Sequence, residues 1–116
     1  MWTVMQTKSD AEPWWFLEGW EEDVIEQWTF SEKETAFAKY VNKIQELSVK
    51  YPKNRIKKGT QIAFWNEDEI LFCESCDDDL QIYHGLLIMY NNSPYAIENK
   101  SNEDQLIRQA FINEKV

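Results

Sequence analysis

The clearest hydrophobic pattern in the chain lies in its middle third. Apolar residues recur at three- and four-residue steps over positions 37–51, while lysines and glutamates occupy the positions between them. Ser31 opens an S-x-x-E sequence typical of a helix capping box, and Pro52 follows the last apolar position. The pattern therefore predicts a long amphipathic helix over residues 32–50.

Shorter apolar runs predict strands on both sides of this helix. Residues 2–7 alternate large and polar side chains, which is typical of a half-buried strand. Residues 61–65 and 70–74 flank a four-residue polar turn and predict a hairpin. Residues 80–90 supply a further strand, which we expect to be broken or bulged at Gly85.

Two shorter helices complete the predicted elements. Three acidic residues precede apolar residues at helical spacing and predict a short helix over residues 21–28. A final helix begins near Asn102 and buries Leu106, Ile107, Ala110 and Phe111. Residues 1–116 are thus predicted to form a single α+β domain, an antiparallel sheet of about four strands packed against one long amphipathic helix plus shorter helices.

Composition narrows the class of protein. The chain has 116 residues, 43% hydrophobic residues and a formal net charge of −9, which suits a folded acidic domain with its own core. No apolar run reaches the length of a membrane-spanning helix, and residues 1–5 lack the pattern of a secretory signal. We therefore expect a cytoplasmic protein that does not contact membranes and whose cysteines are reduced.

Catalytic motifs do not emerge from the sequence. The chain has one histidine, His84, so that a Ser-His-Asp or Cys-His arrangement would have to include it. Gly-rich phosphate loops and zinc-protease motifs are not found. We expect a protein without enzymatic activity.

One short motif is a candidate metal site. Cys73 and Cys76 have C-x₂-C spacing, and His84 follows eight residues later. Thiolates at this spacing chelate zinc from a tight turn, and a neighbouring carboxylate would complete four ligands. Structural zinc sites usually have a second cysteine or histidine pair, which favours the alternative of two cysteines in a strand and a turn. We expect no cofactor, with zinc at this site as the alternative.

The charge distribution identifies a candidate for nucleic-acid contact. Residues 50–58 contain five of the twelve basic residues and no acid. Such a segment suits phosphate contacts, and an aromatic ring within it suits base stacking. The alternative is a loop that is basic only for solubility, on a body whose negative charge repels a polyanion. The nucleic-acid candidates are Lys50, Tyr51, Lys53, Arg55, Lys57 and Lys58.

An aromatic segment identifies a candidate for protein contact. Residues 14–20 contain four large aromatic side chains, which no single helix or strand can place on one buried face. Exposed tryptophans beside acidic residues are typical of binding hot spots. The alternative is that these rings fill the core of a small domain. The protein-binding candidates are Trp14, Trp15 and Trp20.

Two blocks of sequence resemble a known family. Residues 12–21 (EPWWFLEGWE) and 73–85 (CESCDDDLQIYHG) are similar to DUF1033, an uncharacterised family of small proteins from low-GC Gram-positive bacteria. The resemblance implies no activity, cofactor or site residue. It does imply a link to DNA uptake, because some members are labelled as DNA-binding and are encoded near competence genes.

These observations give an order of functional hypotheses. The first is a non-catalytic cytoplasmic accessory protein that acts through protein–protein contacts with a partner the sequence does not identify. The alternatives are a weak nucleic-acid-binding protein that uses residues 50–58 and a small zinc-binding protein that uses the C-x-x-C pair. The oligomeric state is left open.

Overall fold

A computed structural model describes residues 1–75 and 77–111. The strands within these ranges are β1 (Trp2–Ser9), β2 (Val24–Phe30), β3 (Lys53–Lys57), β4 (Gln61–Trp65), β5 (Ile70–Cys73), β6 (Asp78–Gln81), β7 (Tyr83–Tyr90) and β8 (Ser93–Pro94). The α-helices are α1 (Lys33–Lys50) and α2 (Asn102–Ala110). Two 3₁₀ turns, Pro13–Trp15 and Trp20–Asp23, lie between β1 and β2.

The main sheet is antiparallel and has six strands. Its order is β2-β1-β7-β4-β3, with the short β8 paired to the end of β7, and β5 and β6 form a separate two-stranded sheet. The α+β class is confirmed, and the expectation of about four strands is only roughly right because the main sheet has six. Among the strands that sequence analysis missed, β3 is highly charged and β8 is very short, and pairing with a neighbour stabilises them where their own periodicity does not.

The core lies between the sheet and α1. Tyr40, Ile44 and Leu47 of the helix are buried against side chains of β1, β4 and β7, including Val4 and Leu86. The predicted helix is confirmed to within one residue at its start. The predicted capping box is not formed, because Glu32 is the N-cap residue and the Thr35 hydroxyl donates to its carbonyl oxygen at 3.0 Å.

Polar contacts connect the middle and the start of α1 to the rest of the chain. The buried Tyr40 hydroxyl donates to the Thr60 carbonyl oxygen, and the Thr60 hydroxyl donates to the Tyr95 carbonyl oxygen. Burial raises the pKa of Tyr40 well above its usual value. At the start of α1, Lys33 Nζ lies 2.8 Å from Glu103 of α2. That hydrogen bond is the main reason why the pKa of Lys33 is raised.

Three local expectations are wrong. Residues 24–30 form β2 rather than a short helix, because Val24 to Trp28 pair with β1 in antiparallel register. The strands β4 and β5 do not pair with each other, since β4 lies between β3 and β7 and β5 pairs with β6. Strand β7 runs without interruption through Gly85.

Gly85 has a packing function that explains its place in the strand. Successive side chains of a strand point to opposite faces of the sheet. Because Leu86 lies in the core under α1, its neighbour Gly85 faces the other side of the sheet. A Cβ atom at Gly85 would lie 2.7 Å from Cβ of Pro13 and would collide with the Thr7 hydroxyl. The missing side chain therefore allows the first 3₁₀ turn to pack directly on the second face of the sheet.

Neither α1 nor α2 combines the length and the apolar character that crossing a bilayer requires.

Candidate functional site

The aromatic segment, residues 14–20, lies on the sheet face opposite α1. Phe16 and Gly19 adopt left-handed backbone conformations with φ of 47° and 82°, and these fold the segment back on itself. The Phe16 and Trp20 rings meet edge to face at 4.9 Å. The segment is thus a compact loop on the sheet, and its conformation is set by turns and ring packing.

The three protein-binding candidates differ in exposure. Trp15 is 58% exposed, and its Nε1 donates to Glu12 Oε1 at 3.1 Å. Trp14 and Trp20 are half-buried. Of the six tryptophans only Trp2 is buried, so core filling does not account for the whole aromatic segment.

A groove runs along the exposed side of the aromatic segment. It has a volume of about 320 Å³, and its lining combines Trp15, Leu17 and Trp20 with several acidic side chains. Leu17 is as exposed as Trp15, at 58%. The groove therefore combines exposed apolar side chains with several carboxylates. That combination suits an apolar or basic side chain of a partner protein.

The structure divides the basic segment into two groups. Lys53, Arg55 and Lys57 alternate along β3, which is an edge strand of the main sheet. Lys57 Nζ lies 5.6 Å from the centre of the Trp14 ring and 5.9 Å from that of Trp15. One end of this basic row therefore adjoins the aromatic segment, and two sets of candidate residues meet on one surface. The predicted loop is in fact a strand at this point.

The remaining basic candidates do not extend this row. Lys58 lies in the turn after β3 with φ of 53°. Lys50 ends α1 and lies 5.6 Å from the centre of the Tyr51 ring. Tyr51 is only 9% exposed and stacks on His84 at 4.2 Å. Its ring is therefore not free to stack on a base, which corrects the sequence-based assignment of this residue.

Two of the metal candidates, Cys73 and His84, are far apart in the structure. Cys73 ends β5 at the far end of the hairpin from His84, which lies in the main sheet. Cys73 is disulfide-bonded, contrary to the expectation of a reduced thiol, and its Sγ lies 3.4 Å from Ser75 Oγ. Cys76 lies outside the described residues. Within the described residues, no group of three or more metal-binding side chains comes together.

His84 belongs to a polar cleft that sequence reasoning missed. His84 Nε2 is 2.7 Å from Glu69 Oε1, and Lys8 Nζ approaches the other oxygen of Glu69 at 4.0 Å. Across the cleft, the buried Lys43 Nζ pairs with Glu46 at 2.9 Å. The cleft has a volume of about 660 Å³ and lies between the end of α1, strands β1 and β7, and the loop before β5.

The contact between His84 and Glu69 has a defined direction. A carboxylate oxygen only accepts, so His84 Nε2 donates to Glu69 Oε1. Nδ1 and the neighbouring Gln6 Oε1 are buried and have no hydrogen-bond partner among the described residues. The residues of this cleft are far apart in the sequence and are brought together by the β1–β7 register, so no local motif reveals them.

Comparison with known proteins places the chain in a family. The fold and the surfaces described above define a small α+β protein with an aromatic loop on the outer face of its sheet. The family model described as "Protein of unknown function (DUF1033)" matches residues 1–115, and the chain belongs to this family. No significant match is found among curated proteins or among solved structures.

Proposed function

We propose that this DUF1033 protein is a non-catalytic cytoplasmic accessory protein that binds another protein through its aromatic segment. The observation that carries the proposal is the exposure of Trp15, at 58%, in a groove whose lining combines large apolar side chains with several carboxylates. Exposed tryptophans at the centre of such surfaces contribute much of the binding energy in protein interfaces.

The surrounding charge favours a protein over a nucleic acid at this groove. Residues 10–23 contain six acidic residues and no basic residue. These carboxylates repel phosphates, whereas they steer a partner surface that is basic or neutral. The partner is therefore expected to offer an apolar side chain, or an arginine or lysine, to Trp15.

The proposal predicts the effect of removing one ring. Trp15→Ala should weaken binding to the partner by about 30-fold, which corresponds to about 2 kcal/mol for a hot-spot residue. Val49→Ala is a matched control, because Val49 is exposed on α1 at 72%. Affinity capture with the two variants and the wild type selects partner candidates, and calorimetry with the purified candidate measures the dissociation constants. Equal affinities of Trp15→Ala and wild type for every such candidate contradict the proposal.

The basic row favours a second candidate function. Lys53, Arg55 and Lys57 lie on one edge strand, and Lys57 adjoins the exposed Trp15 ring. This arrangement suits single-stranded nucleic acid, with phosphates along the strand and a base on Trp15. Lys53 Nζ also lies 3.5 Å from Glu67 Oε1, and this carboxylate weakens the attraction of Lys53 for a phosphate.

Salt dependence tests this second candidate. Binding through three basic side chains gives a slope of log affinity against log salt of about −2 for a single strand. Fluorescence anisotropy of labelled single- and double-stranded DNA at several salt concentrations measures the slope. Arg55→Gln with Lys57→Gln should abolish binding, whereas the control Lys100→Gln should not change it. Wild-type protein that does not bind at low salt excludes this function.

A further inference from the structure

The hairpin of β5 and β6, residues 70–81, is here called the arm. It continues the β4–β7 ribbon beyond the main sheet. Phe64 pairs with His84, and pairing resumes at Ile70 with Gln81, after five residues on one side (65–69) and two on the other (82–83). The Gln81 side-chain amide donates to the carbonyl oxygens of Asn66 and Glu69 at 2.8 and 3.0 Å. Within the described ranges, no other element packs extensively on the arm. It is therefore a projecting element fastened at its base.

The arm exposes three successive apolar side chains. Ile70, Leu71 and Phe72 are 51%, 57% and 54% exposed. Successive residues of a strand point to opposite faces, so both faces of β5 present apolar surface to solvent. An exposed apolar strand with an unpaired edge is a template for pairing with another chain. Neither β5 nor β6 pairs with a further strand among the described residues.

The charge around these apolar residues is of one sign. Residues 66–82 contain seven of the chain's 21 acidic residues and none of its 12 basic residues. Asp78 and Asp79 of β6 are exposed directly opposite Cys73 and Phe72. Two arms that met edge to edge would both carry this negative charge, which opposes pairing between copies of this chain. A basic partner has the complementary charge.

We propose that the arm binds an extended segment of another protein in which basic and apolar residues alternate, and that the segment pairs as a third strand with the edge of β5. Main-chain hydrogen bonds along the edge supply affinity. Apolar side chains of the segment lie on one face of its strand and cover Ile70 and Phe72, and its basic side chains lie on the other face, which is the face of Asp78. The surface is distinct from the groove at Trp15, so it provides a second contact beyond the proposed function.

A pair of peptides tests strand addition. The probe is an acetylated, amidated peptide of alternating lysine and valine, and the control is the same peptide with proline at its central valine. Proline removes a backbone donor and is poorly accommodated in a paired strand, while the peptide charge is unchanged. NMR titration of the full chain should show that the probe shifts amide signals of β5, with an affinity at least roughly tenfold higher than that of the proline peptide. Equal affinities would mean that charge alone attracts the peptide, and the proposal would be wrong.

Variants of the chain locate the contact. Leu71→Thr with Phe72→Thr keeps the preference for strand structure and should weaken probe binding at least roughly tenfold. Trp15→Ala should leave probe binding unchanged, which separates this proposal from the proposed function. Binding that survives the double threonine variant, or that is absent at millimolar peptide, overturns the proposal. The proposal is also wrong if the wild-type chain sediments as a dimer and the double threonine variant as a monomer, because the edge of β5 would then bind a second copy of the chain.

Discussion

Gly85 shows how one residue controls the aromatic loop. Its missing side chain leaves room for Pro13, and the turn that contains Trp14 and Trp15 begins at that proline. The proline ring is held in place by its own backbone and cannot move aside as a flexible side chain would. The position of the exposed tryptophan therefore depends on a glycine that lies about 70 residues later in the chain.

Replacement of Gly85 by alanine should displace the aromatic loop. We expect a loss of about 3 kcal/mol in the free energy of unfolding, because an added methyl group overpacks a rigid contact. Gly19→Ala is the control, since Gly19 has φ of 82° with open space around it and should lose about 1 kcal/mol through backbone strain alone. Urea denaturation followed by tryptophan emission measures both losses. Equal losses for the two variants would show that Pro13 does not pack on Gly85.

Asp104 gives a prediction about pH. Its carboxylate accepts hydrogen bonds from the Lys100 backbone N–H and from Arg108 Nε, both at 3.0 Å. These hydrogen bonds lower the pKa of Asp104 from its usual value, and the bond from Lys100 has the larger effect. A carboxyl whose pKa is lower in the folded than in the unfolded state stabilises the fold at any pH above its unfolded-state pKa of about 4. This stabilisation is lost as the pH falls through the folded-state pKa. Asp104→Asn should therefore be less stable than wild type by about 1 kcal/mol at pH 7. The difference should close as the pH is lowered from about 4 toward 2. Urea melts at three pH values measure it, and a difference that stays constant with pH contradicts the assignment.

The elements differ in how well the sequence predicts them. Helix α1 is predicted within one residue because a long apolar stripe at helical spacing is a strong local pattern. Strand β2 is mistaken for a helix because Val24, Ile25 and Trp28 also fit helical spacing, and only pairing with β1 decides between the two. Lys43 fits the polar side of α1, yet it is 6% exposed because it extends under Trp28, 5.3 Å from the ring centre.

The candidate sites also differ in how far local sequence patterns predict them. Trp15 is predicted because an excess of aromatic residues is visible within one short segment. The contact of Lys57 with Trp14 and Trp15, and the pairing of His84 with Glu69, depend on strands that are distant in sequence. Sequence patterns report the local preference of a segment, whereas the register of β1, β4 and β7 brings these residues together.

Helix α1 should contribute most to stability through its apolar stripe. Ile44 is completely buried against the sheet, so Ile44→Ala should lower the free energy of unfolding by about 2–5 kcal/mol through lost burial and a cavity. Val49→Ala, on the exposed side of the same helix at 72%, should cost at most about 0.5 kcal/mol. Urea denaturation followed by circular dichroism measures both values. Similar small losses would mean that the stripe does not form the core.

The whole molecule divides its charge unevenly between the arm and the rest. Residues 66–82 hold seven acids and no base, so the remaining residues hold 14 acids against 12 bases and are close to neutral. The net charge of −9 is therefore mainly a property of the arm and its base. An element that is strongly charged, apolar at its surface and fastened only at its base has the features of a binding element. It has few of the contacts that make an element necessary for folding.

This division predicts that the fold survives without the arm. Phe64 pairs with His84, so Trp65 and Tyr83 come next in register, and their rings meet at 5.4 Å. An Asn-Gly pair in place of residues 66–82 would close β4 and β7 with a two-residue hairpin turn, the connection that antiparallel strands favour. The variant loses the hydrogen bond between Glu69 and His84 but retains the six strands of the main sheet and both helices.

The shortened chain should unfold cooperatively, with a free energy of unfolding within about 2 kcal/mol of the wild-type value. It loses the hydrogen bond between Glu69 and His84 and two largely exposed ion pairs, Lys8–Glu69 and Lys53–Glu67, which contribute little. Circular dichroism should show that the helical signal is retained, and urea denaturation should give a single transition. Binding to a partner captured through Trp15 should persist, because the aromatic loop lies on β1, β4 and β7 and does not depend on the arm. A chain that loses its helical signal or its cooperative transition would show that residues 66–82 are part of the folding core, and the arm would then have a structural role.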